Sequence, residues 1–400
     1  MKHFCLFLSL VFFLNSNAQV TVRGKLLDRQ TNEAVISASV GIKGKATGTI
    51  SNEEGVFQLT VFKDEQILVS CLGYQPIAVP ASEFTSEIKI LYLEQSEEKL
   101  EEVMVSKIPP HQMLLEAIAA STARLNKPIL LHTYYREFAK NNGKYTSFAD
   151  GLLDYHVTGT VKKTTTETVV LQNRSVNLLP PEEEEDGAFG SVFSVQQAVV
   201  SKYSMSRLYQ DVLEKKKHEQ YDFELKSKKE AGKELYLISF SPKAEIEEML
   251  VKGTVLFDPQ TKLIQEVEIY AAPSHLQYAK TINVLIVKVT IQDFKLKTAY
   301  KMSGSNYVLS YCNHYAKVKV FNKKRLNETL ESRSDLIVTD FEKDKPFDKK
   351  TRFKKRNLYD KPTDYQTKFW QQSNAIVLTS DEEKIIADLE KSSASAIPAH

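Results

Sequence analysis

Between residues 20 and 93 turn-forming residues interrupt every apolar run, and this punctuation confines the segment to short strands. Residues 20–26 are strand-like and meet the polar turn Asp28-Arg29-Gln30-Thr31-Asn32. Residues 35–42 follow, with glycines at Gly41, Gly44 and Gly48. Gly55 precedes the alternating Val56-Phe57-Gln58-Leu59-Thr60-Val61, residues 67–71 form a continuous apolar run that stops at Gly73, and residues 88–93 close the set. Strands this short bury their apolar faces by stacking two sheets, so an all-β sandwich is predicted over residues 19–94.

Residues 1–18 read as a secretion signal: Lys2 gives a positive start, residues 4–14 an apolar run, and Ser16-Asn17-Ala18 a small-residue cleavage site. The run is shorter than the roughly 20 apolar residues of a spanning helix. The mature chain is therefore expected to begin near Gln19, without a membrane-spanning helix, in the periplasm or on the periplasmic face of the outer membrane. No cysteine follows the cleavage site, which disfavours a lipid anchor there. Cys5 leaves with the signal, and Cys71 and Cys312, on strand-like runs of different domains, are expected as free thiols. Lys plus Arg (53) and Asp plus Glu (51) nearly cancel, so bulk charge names no partner.

The pattern formed by Gly24, Asp28, Ala38, Val40, Gly48-Thr49, Gly55-Val56-Phe57 and the run SCLGY at 70–74 resembles the carboxypeptidase regulatory-like family. That resemblance implies a seven-strand transthyretin-like sandwich. Ser51-Asn52 stands where the family usually has Thr-Asp, and either pair can hydrogen-bond its own backbone in a turn. The family name suggests a peptidase, but a zinc carboxypeptidase needs His and Glu three residues apart, and none of the eight histidines has a Glu at that spacing. No metal site and no cofactor are expected.

Residues 94–102 hold five glutamates and lead to Pro109-Pro110. This junction resembles the segment joining the same sandwich to the plug of TonB-dependent outer-membrane receptors, but the residues beyond it are too few for a plug and a receptor barrel. Residues 95–110 are read as an acidic, proline-closed linker, and limited proteolysis is expected to cut first between about residues 94 and 112. Preferred cleavage within residues 56–71 would instead place the boundary elsewhere.

Residues 111–391 are predicted as an α+β domain with a large, curved antiparallel sheet, which makes the chain mainly β. Met113, Leu114, Ala117, Ile118 and Leu125 recur at helical spacing over residues 111–126. Strand-like runs follow at 132–139, 144–157 and 164–171, a helix or two within 191–212, and strands again at 222–225, 235–240, 251–257, 263–270, 282–296, 307–321 and 326–338. A last helix is expected at 381–391, and residues 392–400 are read as a disordered tail. An outer-membrane barrel would end in a strand with a final aromatic residue, which this helical, Ser/Ala-rich end does not supply. The run from Leu114 to Phe138 resembles a region found after regulatory-like sandwiches in envelope proteins of unassigned activity. The hairpin GTVLFDPQTKLIQEVEIY is similar to those of the half-open barrel of periplasmic lipoprotein carriers.

Within 282–296 the alternation slips. Leu285, Val287, Val289 and Ile291 share one face while Phe294 and Leu296 fall on the other parity, and a bulge near Gln292-Asp293 would restore a common face. Those four aliphatic residues are the candidate apolar groove. The acidic run at 180–186 lacks the glycine turn that spaces calcium ligands and reads as a solvated loop. Residues 343–356 carry eight basic side chains with Phe347 and Phe353 between them; a secreted address removes nucleic acid, leaving a solvated linker or a contact with anionic lipid. Trp370 is read as a core anchor for the last helix. With no catalytic constellation, the chain is expected to be a non-enzymatic envelope protein: the sandwich an interaction module, the sheet domain a binder of an envelope protein or a lipid-like ligand. The alternative is an envelope hydrolase whose site assembles only in three dimensions.

Overall fold

The computed structural model describes residues 19–95, 104, 106–178, 194–364 and 376–395, apart from interruptions at 37, 46, 72, 126, 161–162, 231–232, 285–286, 323–325 and 348–350. The signal, the acidic run at 180–186, most of the glutamate-rich junction, Leu285, Trp370 and residues 396–400 lie outside the described residues. The described chain divides into two units, residues 19–95 with 376–377, and the remainder.

The first unit contains seven strands: β1 (Gln19–Asp28), β2 (Ser39–Ile42), β3 (Gly48–Ile50), β4 (Val56–Phe62), β5 (Gln66–Ser70), β6 (Ile77–Pro80) and β7 (Lys89–Leu93). They form two sheets, ordered β4-β1-β7 and β3-β2-β5-β6. Alternation sends Val22 and Leu26 of β1, Phe57, Leu59 and Val61 of β4, Val40 of β2 and Ile67 and Val69 of β5 into one shared core. The family-pattern residues have direct physical roles. Asp28 accepts hydrogen bonds from the backbone N–H of Thr31 and Gln30 and from the Gln95 and Tyr74 side chains, which hold its carboxyl well below the usual carboxylate range. Ser51 Oγ accepts from the N–H of Ala38 and donates to the carbonyl of Val35, while Asn52 Oδ1 accepts from the N–H of Glu54 and Val56. The Ser-Asn pair thus makes its turn from side-chain to backbone bonds.

The second unit begins with α1 (Pro110–Arg124). Three long strands follow, β8 (Ile129–Asn141), β9 (Lys144–Gly159) and β10 (Thr164–Asn177), then α2 (Val200–Ser204). The remaining strands are β11 (Tyr221–Glu230), β12 (Lys233–Pro242), β13 (Val251–Phe257), β14 (Ile264–Ala271), β15 (Ile282–Val284), β16 (Val287–Ser303), β17 (Asn306–Phe321) and β18 (Asn327–Lys343), and α3 (Ser380–Ser395) ends the described chain. All eleven strands join one antiparallel sheet, ordered β10-β9-β8-β18-β17-β16-β14-β13-β12-β11, with β15 paired to β16. Register shifts on five of its pairings bend and twist this sheet, the curvature expected from the face slip.

One face of the sheet carries the main core. Leu114, Ala117 and Ile118 of α1 and Val195, Val199, Tyr203, Leu208 and Val212 of the following irregular segment pack on Leu131, Tyr135, Tyr155, Val255, Ile269 and Leu309. The opposite face, by strand alternation, presents Phe138, Phe148 and Val176 to Ile386 and Leu389 of α3.

Three expectations need correction or extension. Residues 282–296 are not one strand: Val284 pairs with Val287, so the chain reverses there and β15 lies back along β16. An uninterrupted apolar run gives no sign of that turn, because the usual Gly or Asn is missing. The last helix runs on to Ser395. The helical stretch expected within 191–212 is a chain of short pieces, α2 followed by a second turn at Ser206–Leu208 and a wide turn at Tyr209–Leu213. Met205 between the first two has φ +48°, in the left-handed region.

Candidate functional site

The core face along β16 keeps a contiguous row of apolar side chains partly accessible. Ile291 pairs with Val318 and Asp293 with the next residue, Lys317, so Gln292 is the extra residue of a bulge. The bulge turns Phe294 and Leu296 onto the face that carries Val289 and Ile291, as the sequence pattern required. Their partners on β17 (Val320, Val318, Ala316 and His314) are buried, whereas the four residues of the β16 stripe are half-buried. Phe294 and Leu296 pack at the edge of the main core. Val289 and Ile291 join Val287, Val318, Val320, Leu326 and Leu330 in a satellite cluster that contains no helical residue among those described. Of the four predicted groove residues, Val287 is buried within this cluster, Val289 and Ile291 flank it, and Leu285 is not described.

At its helical end the stripe meets two cations. Lys202 of α2 is 4% exposed and donates to Ser201 Oγ at 3.1 Å, and no carboxylate among the described residues pairs with it. Burial pushes its ammonium down to about 8, since the interior disfavours the charged form. The Arg207 guanidinium sits 5.4 Å from the Phe294 ring centroid and pairs with Asp211 at 2.5 Å. Between this segment and β14 and β16 lies a cleft of about 20 Å³, lined by Lys202, Met205, Arg207, Leu208, Val267, Ile269, Leu296, Thr298 and Tyr300, among others. That is room for about one water.

The opposite face holds a charge row that sequence reasoning missed. Asn313, Asp335, Arg136, Asp150 and Arg174 stand in register across β17, β18, β8, β9 and β10. Arg136, 2% exposed, donates from Nε to Asp335 at 2.8 Å and from Nη1 to Glu382 of α3 at 3.0 Å. Asp335 also accepts from Asn313 at 2.7 Å and from the Tyr311 hydroxyl at 2.9 Å. Arg174 grips Asp150 with two bonds. Glu382 has a second role: it accepts from the N–H of Thr379 while Thr379 Oγ1 accepts from the N–H of Glu382, a capping box that opens α3. The available signal was Arg136 inside the strand-like run HTYYREFA, a charge where alternation alone does not explain it.

His132 is the one histidine bound on both ring nitrogens by carboxylates among the described residues: Nδ1 meets Asp154 at 2.7 Å and Nε2 meets Glu342 at 3.0 Å. The Asp154 hydrogen bond, above all, raises its pKa. With both nitrogens occupied, neither is left to activate a nucleophile. The basic segment is pinned where it is described: the N–H of Phe353 donates to Thr168, the Gln196 amide donates to the carbonyls of Phe353 and Lys355, and Phe347 stacks on His156. Cys312 is buried and Cys71 half-buried, and neither is joined in a disulfide. No described helix is long and apolar enough to cross a membrane.

Over 114 residues the chain is 35% identical to the TonB-dependent receptor SusC of Bacteroides thetaiotaomicron, a match covering 28% of this chain and 11% of that protein. The chain therefore matches only about a tenth of the length of that relative. Three solved structures are similar at low TM-score. A DUF1329 family protein from Desulfovibrio piger gives 0.26 at 10% identity, covering 60% of this chain and 93% of that one. A LolA superfamily protein from Nitrosomonas europaea gives 0.23 at 7% identity over 60% and 97%. Lipovitellin gives 0.22 at 11% identity over 58% and 27%. Residues 22–105 match the family model of the CarboxypepD_reg-like domain, so the first unit is a carboxypeptidase regulatory-like sandwich.

Proposed function

We propose that this chain is a non-enzymatic binding protein of the Gram-negative envelope, in which the sandwich serves as an interaction module and the curved sheet accepts an apolar ligand or partner along β16. The observation that carries this reading is the half-buried stripe Val289, Ile291, Phe294 and Leu296, which continues the core face beyond its helical cover onto a patch clad by no described helix. Partly exposed apolar side chains in a contiguous row are what an apolar occupant covers. The address, the periplasm or the periplasmic face of the outer membrane, is part of this reading and is supported by the signal-like start and by the likeness to a TonB-dependent receptor.

Native mass measurement of protein purified from its own envelope tests the ligand reading. A fraction with added mass, removed by organic extraction and recovered as lipid, is expected. Uniformly bare protein would leave the adaptor role of the sandwich standing alone.

A further inference from the structure

The chemistry at the helical end of the stripe narrows the class of ligand; the inference rests on the apolar-site reading above. Lys202 is an ammonium held at 4% exposure in a largely apolar seam, with a hydroxyl for its described partner and no carboxylate among the described residues. An uncompensated charge in such a place is costly unless an opposite charge arrives. Arg207 is already matched by Asp211, so the seam lacks one negative charge rather than two. The lining beside Lys202 is Met205, Leu208, Ile269 and Leu296, which suits a hydrocarbon chain next to that charge.

The length of the stripe is informative. Leu296 to Ile291 spans about 16 Å at ~3.3 Å per residue. A chain that fills one bilayer leaflet covers a similar distance, half of the ~30 Å hydrocarbon core. We propose that the stripe takes a single-chain amphiphile with a carboxylate head, its chain lying along Leu296, Phe294 and Ile291 and its head paired with Lys202.

The cleft beside Lys202 has room for about one water, so entry of the head requires the segment from α2 to Leu208 to shift. That segment is irregular, though Tyr203 and Leu208 anchor it in the main core, so the shift falls on the side chains and backbone around Met205. It consists of two helical pieces of five and three residues, joined at Met205 with φ +48°. Neither piece is long enough to be rigid by itself.

The test is a titration of the full-length mature protein with oleate, with oleyl alcohol and with phosphatidylglycerol vesicles, repeated on Lys202→Met and Lys202→Arg. Lys202→Met is expected to fold, because it removes an uncompensated buried charge at similar volume, and Lys202→Arg to fold with a modest loss from its added volume; circular dichroism melts verify both before titration. Oleate is expected to bind the wild type one to one and to bind Lys202→Met at least about tenfold more weakly, a difference of one factor of ten in Kd. Lys202→Arg is expected to regain most of the loss, and oleyl alcohol to bind wild type and Lys202→Met alike. Equal oleate affinity for wild type and Lys202→Met overturns the inference while oleyl alcohol binding keeps the apolar-site reading. Binding of neither oleate nor oleyl alcohol overturns both. Lys202-dependent binding to the vesicles without binding of oleate assigns the charge to a phospholipid and overturns the carboxylate head.

Discussion

Replacing Arg136 with methionine is expected to destabilise the second unit by about 3–5 kcal/mol, the cost of removing one partner from a buried charge network. Arg136 is the middle of the in-register row, and a single guanidinium there faces Asp335 on β18 and Glu382 on α3. Without it two buried carboxylates lose their principal cation: Asn313 and Tyr311 still serve Asp335, and the Arg333 guanidinium, 3.5 Å from Asp335 and 3.6 Å from Glu382, is the cation left to both. Arg136→Lys is expected to recover part of the loss, since one ammonium lacks the fork that reaches both acids at once. Urea unfolding followed by far-UV circular dichroism measures the effect, with hydrogen exchange locating it at α3 and β8. A loss below about 1 kcal/mol, the range of an exposed pair, would mean that the row contributes packing alone. The same network dictates an acid dependence. Burial raises the Asp335 carboxyl, but Arg136 and Arg333 outweigh it and hold the group well below the usual carboxylate range. A carboxyl depressed in the folded state contributes stability that is present above its unfolded value of about 3.9 and is lost as the pH falls through the folded one. Arg136→Met should remove much of that acid-side slope.

The contrast between the two faces of this sheet shows which features a sequence discloses. The bulge at Gln292 was legible because alternation is local: a parity slip over a dozen residues has one cheap remedy, and Phe294 and Leu296 do rejoin Val289 and Ile291. The first unit was legible for the same reason, since short strands and their turns are written into neighbouring residues, and Asn52 and Asp28 do hold turns with their side chains. The reversal between Val284 and Val287 was not legible, because an apolar run without turn residues reads as one strand. Nor was the charge row. Arg136 and Asp335 lie 199 positions apart and meet only because β18 returns beside β8, a pairing no local period encodes. Lys202 was missed for a related reason. A lysine in a short helical stretch reads as solvent-facing, and only the tertiary packing of α2, where the Tyr300 hydroxyl of β16 also donates to the Lys202 carbonyl, removes it from water. The groove was therefore legible as a face, and its chemistry was not.

Gly55→Ala is expected to cost the sandwich about 2–5 kcal/mol, and comparison with Gly44→Ala separates the two causes. Both glycines are in the left-handed region, Gly44 at φ +80° and Gly55 at φ +77°. Either alanine therefore meets backbone strain of about 1–2 kcal/mol. At Gly44 nothing lies within 4 Å of the added methyl, so strain is the whole effect. At Gly55 the methyl would stand 2.4 Å from the Leu26 carbonyl oxygen, a backbone atom that cannot swing aside. Relieving that clash moves β1 away from the turn, which the Leu26 N–H now grips through the Gly55 carbonyl at 2.9 Å. The displacement adds an overpacking cost of about 1–3 kcal/mol. Next to Gly55, the Asn52 side chain holds the N–H of Val56, so the strain also reaches the first residue of β4, the strand paired with β1 from Val56 to Phe62. Hydrogen exchange at the β1 and β4 amides of the full-length protein reads the loss directly, with the amides of β8 and β9 in the second unit as the internal reference. Gly55→Ala exchanging no faster than Gly44→Ala would show that β1 yields freely at Leu26, and that the glycine of the Gly-Val-Phe motif serves conformation alone rather than the close approach of two backbones.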